Sequence, residues 1–141
     1  MSVFGKWHEY TKQLLLTKML GDPDFFGNNA LYLSLWISPV VDKFEKLNTT
    51  GEVIANSYTR AAINNVPETF TEVLGGDIRN SVEISFPVAL ESWGIVEYIA
   101  IFDAETEGNL LFYSRLVTPK EVLTGDRVYF PPSSIRIGFS N

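Results

Sequence analysis

The residues with the chemical means for catalysis or ion binding are few, and their spacing works against both. His8 is the only histidine, so a nucleophile–base pair or an imidazole metal site would have to be built on that one ring. Its place at the start of a helical stretch makes it a helix-surface imidazole. Asp103, Glu105 and Glu107 alternate along a connection that ends at Gly108. Alternating oxygens are what a calcium loop uses, yet the full EF-hand spacing and its flanking helices do not occur, and solvated turn chemistry is the simpler reading. Asp22 and Asp24 flank Pro23 and are a second pair of carboxylates of the same kind. There is no cysteine, so neither a disulfide framework nor a thiolate metal site can form. The glycines make neither a GxGxxG fingerprint nor a phosphate loop. Arg60, Arg79, Arg115, Arg127 and Arg136 are scattered over strands and strand ends, where they suit ion pairing within a subunit or between subunits. These patterns predict no enzyme: no catalytic residues, no metal and no cofactor.

Charge narrows the partners. A formal net charge of −6 disfavours nucleic acid, which needs a basic face to displace counterions from phosphates. The longest uncharged apolar stretch, 30–41, is too short to span a bilayer and is broken by Pro39. The first six residues lack an apolar core followed by a cleavage site, so no secretory signal is expected. Synthesis in a cytoplasm and no contact with membrane follow as expectations.

The elements that would position any site read as β. A chain of 141 residues points to a single domain. Residues 6–20 place Trp7, Tyr10, Leu14 and Met19 at helical spacing, and Gly21-Asp22-Pro23 supplies a stop. The spacing predicts one helix over about 6–20, packed against a β-domain or leaving the aromatic face of Trp7 and Tyr10 for a neighbouring subunit. Residues 30–37 alternate Leu31, Leu33, Leu35 and Ile37 against Tyr32, Ser34 and Trp36, a strand with one aliphatic face. Further strands are predicted at 58–64, 81–86, 127–130 and 134–139. The centre of the chain is a hairpin over 93–116: two apolar runs, 95–102 and 110–116, joined by 103–109, where Gly108 is free to take positive φ. Thr118-Pro119-Lys120 and Thr124-Gly125-Asp126 read as turns. Long loops are expected near 38–56, with a short helical turn at 41–47, and near 65–79. The tally is about seven short strands after one helix, hence a mainly β chain built as an antiparallel β-sandwich or small barrel over about 30–141. Loops this long in a compact domain argue for assembly.

The segment from Ser92 onward resembles a family of small tailed-bacteriophage virion structural proteins. The matching residues are Ser92-Trp93-Gly94, Ile101-Phe102-Asp103-Ala104, Gly108-Asn109-Leu110-Leu111, Thr118-Pro119-Lys120, Gly125-Asp126 and the strand carrying Ile135 and Ile137. Upstream, Leu31-Tyr32-Leu33-Ser34-Leu35, Glu52, Tyr58-Thr59-Arg60 and the strand ending at Phe86-Pro87 match in the same order. The chain departs from the pattern in a longer 38–50 connector and in Glu107, where the family often carries a second glycine.

The resemblance implies a virion structural protein, a family whose members are described as tail-fibre-like, minor structural or capsid-decoration proteins. A compact acidic domain with no repeat and no coiled-coil shaft suits a capsid cement or decoration protein. That reading expects the major capsid protein as partner and self-association as a homo-oligomer, with a homotrimer natural at a three-fold position. The alternative is a tail-associated fibre protein that binds a receptor or glycan, with Trp36 or Tyr113 as a sugar face. The expected interface residues are Trp7 and Tyr10 on the helix and the loops around Phe44 and Phe70.

Overall fold

The computed structural model describes residues 3, 8–22, 30–64, 69–70, 72–74 and 77–138. The chain runs α1 (Glu9–Gly21), β1 (Ala30–Trp36), β2 (Ala61–Asn64), β3 (Glu72–Leu74), β4 (Asp77–Arg79), β5 (Ile84–Ser85), β6 (Gly94–Phe102), β7 (Leu110–Val122), β8 (Tyr129–Phe130) and β9 (Arg136–Gly138). Among the described residues it is mainly antiparallel β after an N-terminal helix, and the sheets are open rather than closed into a barrel. The seven strands read from the sequence correspond to β1, β2 and β5–β9. The chain divides into two compact units: residues 30–64 with 84–130, and residues 1–29, 65–83 and 131–141.

The larger unit holds a four-stranded sheet in the order β2-β1-β6-β7 and the short pair β5-β8. The period-two pattern of β1 sets its register: Leu31, Leu33 and Leu35 are fully buried on one face. The other face is covered too, since Ser34 and Trp36 are buried. Ser34 Oγ meets that burial by donating to the Ala100 carbonyl at 2.9 Å and accepting from Trp36 Nε1 at 2.9 Å. Ile37, expected on the aliphatic face, is 45% exposed because the strand has ended. The central hairpin forms as read, from Gly94↔Val122 to Phe102↔Leu110.

Thr118-Pro119-Lys120 is not a turn that ends a strand. Between the pairs Val96↔Lys120 and Tyr98↔Arg115, residues 116–119 stand opposite Glu97 alone, a wide bulge inside one long strand. Proline has no N–H to give a ladder, so Pro119 fits where the ladder is interrupted. The helical turn expected at 41–47 is also replaced. Val41 and Leu47 pair as a β-bridge, and Asp42 Oδ1 closes the turn by accepting from the amides of Phe44 at 2.8 Å and Lys46 at 3.0 Å.

In the smaller unit, β3, β4 and β9 form a sheet, and α1 packs on β4 and β9. The β3–β4 hairpin lies inside the stretch expected to be a loop. Leu74 pairs with Asp77, so a two-residue connection joins the strands, and that connection is Gly75-Gly76 in the sequence. The helix is capped by His8, whose Nδ1 accepts from the Tyr10 amide at 3.2 Å. It continues through Gly21 and ends at Asp22, which is extended at φ −96° and ψ 114°, the conformation favoured before proline. Lys12, Leu16 and Leu20 are its buried row, four residues apart, whereas Tyr10 and Leu14 are exposed. The packed face is therefore not the Tyr10–Leu14 row.

Asn80 is the polar centre of this unit and is wholly buried. Its Nδ2 donates to the carbonyls of Val82 at 2.8 Å and Pro131 at 3.0 Å, and its Oδ1 accepts from the Ile135 amide at 2.9 Å. Its own backbone bonds Ile135 and Ser133. One amide side chain thereby ties 80–82 to 131–135.

Candidate functional site

Arg60, just ahead of β2, is the hub of the larger unit, with 7% of its side chain exposed. Nε and Nη2 donate to the two oxygens of Glu52, each at 2.9 Å, the bidentate geometry a guanidinium fork is built for. Glu52 is held in turn by the return of its segment along β1, where Ile37 N donates to Gly51 O at 2.8 Å and Val53 N to Leu35 O at 2.9 Å. Gly51 is needed there: a Cβ at this position, φ +126°, would lie 2.3 Å from Ser38 Oγ and 3.2 Å from the Trp36 ring. The Tyr58 hydroxyl donates to Glu52 at 2.6 Å and accepts from Leu35 N at 3.1 Å. Burial, reinforced by the neighbouring Glu52 carboxylate, raises the Tyr58 phenol far above its ordinary range. It remains a hydrogen-bond donor throughout the physiological range.

The third arm of Arg60 reaches the central hairpin. Nη1 donates to the carbonyls of Ala104 at 2.9 Å and Glu107 at 2.8 Å. The guanidinium lies 4.0 Å over the Phe102 ring, which stacks on Trp36 at 6.3 Å with 11° between planes. The hairpin tip is closed by Asp103, which accepts from Asn109 N at 2.7 Å and Asn109 Nδ2 at 2.8 Å. Those Asn109 bonds hold the Asp103 carboxyl below its ordinary range. Glu107 sits at φ +54°, in the left-handed region that glycine adopts freely.

Between this tip and the 47–54 segment lies a groove of about 470 Å³, with Trp36, Phe102 and Val53 beneath and Leu47 and Ile54 along its side. A second hollow of about 240 Å³ adjoins it across the Arg60–Glu52 pair, lined by Tyr58, Thr59, Glu105 and Thr106. Every N–H of Arg60 named here is engaged by protein, so the charge that the site presents is that of Glu105 and Glu107, both exposed. Apolar walls with an acidic rim can hold a ligand or a partner segment.

A further cluster fixes the segment before β6. The Ser57 hydroxyl donates to Glu91 Oε1 at 2.6 Å and accepts from Leu90 N and Trp93 Nε1, each at 3.0 Å. Ser57, through its hydroxyl first and its amide second, holds the Glu91 carboxyl below its ordinary range. A serine hydroxyl committed this way braces a loop.

The expected interface residues are spread over both units, Tyr10 and Phe70 in the smaller and Phe44 in the larger. Trp7 lies outside the described residues. Tyr10 is 69% exposed and Phe44 70% exposed, whereas Phe70 is 2% exposed and belongs to the core of its own unit. Trp36 is buried under Phe102 and Gly51, so it offers no sugar face. Tyr113 is half-exposed and its hydroxyl donates to Glu45. Of the arginines, Arg60 pairs with Glu52, and Arg79 and Arg136 share Asp77. The sequence carried the pieces of the hub, Glu52 and Tyr58-Thr59-Arg60, without showing that they meet.

Residues 6–138 match the model of a protein family described as Podophage GP4 fiber I protein gp80. The chain belongs to that family, a family of phage structural proteins. No curated protein matches it.

Proposed function

We propose that the chain is a structural subunit of the tail-fibre apparatus of a podophage virion, acting by binding and not by catalysis. The observation that carries this reading is the match of the fibre-family model across nearly the whole chain, residues 6–138. It favours the tail over the capsid lattice, the reading that a compact acidic chain without repeat or shaft suggested within the resemblance to virion proteins. The geometry of the larger unit supports a binding role. A loop-lined groove stands on a scaffold braced by one guanidinium, the kind of rigid platform on which recognition loops work. On this reading the partners are tail components and a second copy of the chain, and the major capsid protein is not the docking surface.

Copy number per particle tests the proposal. Quantitative mass spectrometry of purified virions against the major capsid protein should find few copies, with antibody labelling at the tail in electron micrographs. Hundreds of copies in simple ratio to the capsid subunit would return the chain to capsid cement.

A further inference from the structure

We propose that the groove beside Arg60 in one copy of this chain receives the β7 bulge, residues 115–120, of a second copy. The bulge is an apolar projection set between cations. Val117 is fully exposed, at 103%, between Leu116 and Thr118-Pro119, and Arg115 and Lys120 flank the group on either side. The groove has the complementary make-up. Leu47 and Ile54, the latter 93% exposed, give it an apolar side, Glu107 gives its rim a carboxylate, and Glu105 lines the adjoining hollow. The chain as a whole is acidic, with a net charge of −6. A local basic–apolar–basic segment facing a local acidic–apolar surface is therefore a specific match against a background of mutual repulsion.

Two features exclude the match within one copy and direct it between copies. Leu110 to Arg115 is five steps along the strand, which at about 3.3 Å each sets the start of the bulge roughly 17 Å from the hairpin tip. Both surfaces are also rigid: the tip is clamped by Arg60 and the bulge is tied into β6 on either side. A contact that joins two different patches repeats on every copy, and it closes into a ring when the rotation per copy divides a full turn. β7 is an edge strand of its sheet, so its bulge can reach a neighbour. Interrupting the edge with a bulge and a proline also prevents simple strand-to-strand association. Docking through side chains is what such an edge leaves available.

Sedimentation of the full-length chain over a range of concentrations, with variants, tests the inference. Assembly should be concentration-dependent. Val117→Asp removes an apolar anchor that is fully exposed in the single copy. It should fold normally by circular dichroism and weaken association by about tenfold or more. Lys120→Glu and Glu107→Lys should each weaken association, and a chain carrying both should recover it. Because the chain has no cysteine, Ile54→Cys combined with Val117→Cys should, on oxidation, give linked species larger than a dimer, while each single variant stops at the dimer. A chain that stays monomeric at all concentrations, or an assembly indifferent to Val117→Asp, overturns the proposal. A monomer that instead binds maltoheptaose, and loses it on Ile54→Asp, overturns it in favour of a glycan site. None of these outcomes depends on copy number in the virion, so the tail assignment and this contact stand or fall separately.

Discussion

The two units are each held around one polar side chain, and the two choices are opposite. The smaller unit uses the neutral amide of Asn80, wholly buried and satisfied by main-chain groups of Val82, Pro131 and Ile135. The larger unit uses a charge, Arg60, which needs Glu52 to balance it and the carbonyls of Ala104 and Glu107 to fill its remaining bonds. A neutral hub asks for shape and leaves the unit indifferent to charge. An ionic hub gives more bonds per side chain, but removing one partner strands the other. The units should therefore fail differently.

Arg60→Met should cause the largest loss, about 3–5 kcal/mol by denaturant unfolding, because it leaves Glu52 and the Tyr58 hydroxyl facing an apolar site. Replacing Glu52 with Gln as well should recover part of that loss, since the uncompensated carboxylate is then gone. Asn80→Ala should cost less, about 2–3 kcal/mol, the penalty of an orphaned Ile135 amide and two orphaned carbonyls. If the Asn80 variant proves the more damaging of the two, the contrast between the hubs is wrong. The smaller unit would then be the one that limits stability.

How legible these hubs were depends on the range of the signal. Period two in 30–37 and the two apolar runs of the central hairpin are local, and they locate β1, β6 and the start of β7. The Gly75-Gly76 pair was local too, and a two-residue glycine connection is a hairpin signal, yet no clear alternation flanks it to mark the strands. The bulge at 116–119 was hidden for a different reason. Thr118-Pro119 has turn chemistry, and only pairing on both sides with β6 shows that the strand goes on. On the helix, three consecutive leucines, Leu14–Leu16, let several faces pass as the packed one, and the register of Leu16 and Leu20 against β4 and β9 decides it. The hubs are least legible. Asn80 and Ile135, or Arg60 and Glu107, are brought together by tertiary structure, and no spacing in the chain announces them.

Titration separates the units further, with an effect smaller than either substitution. At Asp77, desolvation opposes ionisation, but the hydrogen bonds from Arg136 and then Arg79 outweigh it and hold the carboxyl below its ordinary 3.8. A carboxyl lowered in the folded state contributes stability that is complete above its unfolded value and is lost as pH falls through the folded one. Acid should therefore loosen β4 and β9 below about pH 4. Tyr58 works in the opposite sense. Its phenol is raised from 10.0, so its contribution is complete below pH 10 and is lost as pH rises beyond it. Hydrogen exchange read by mass spectrometry should show peptides over 51–60 opening first on the alkaline side. Peptides of the Asn80 unit that open first under alkali would sink this assignment.

The smallest expected effect is the most informative about what the larger unit is for. Glu107 holds φ +54°, a conformation that costs an ordinary side chain free energy and costs glycine little. The backbone carbonyl of Glu107 serves Arg60, and glycine would supply that carbonyl equally well. Glu107→Gly should accordingly raise unfolding stability by up to about 1 kcal/mol, without altering the spectrum of the folded protein. The same substitution removes the Glu107 carboxylate from the groove rim, so it should weaken self-association. A variant that is more stable and less associated would mark Glu107 as strain retained for contact. A variant that gains stability and associates as before would place the charge that matters on Glu105, the next carboxylate along the tip. A variant that loses stability would mean that the Glu107 side chain itself helps to hold the tip, and the left-handed conformation is then its least important property.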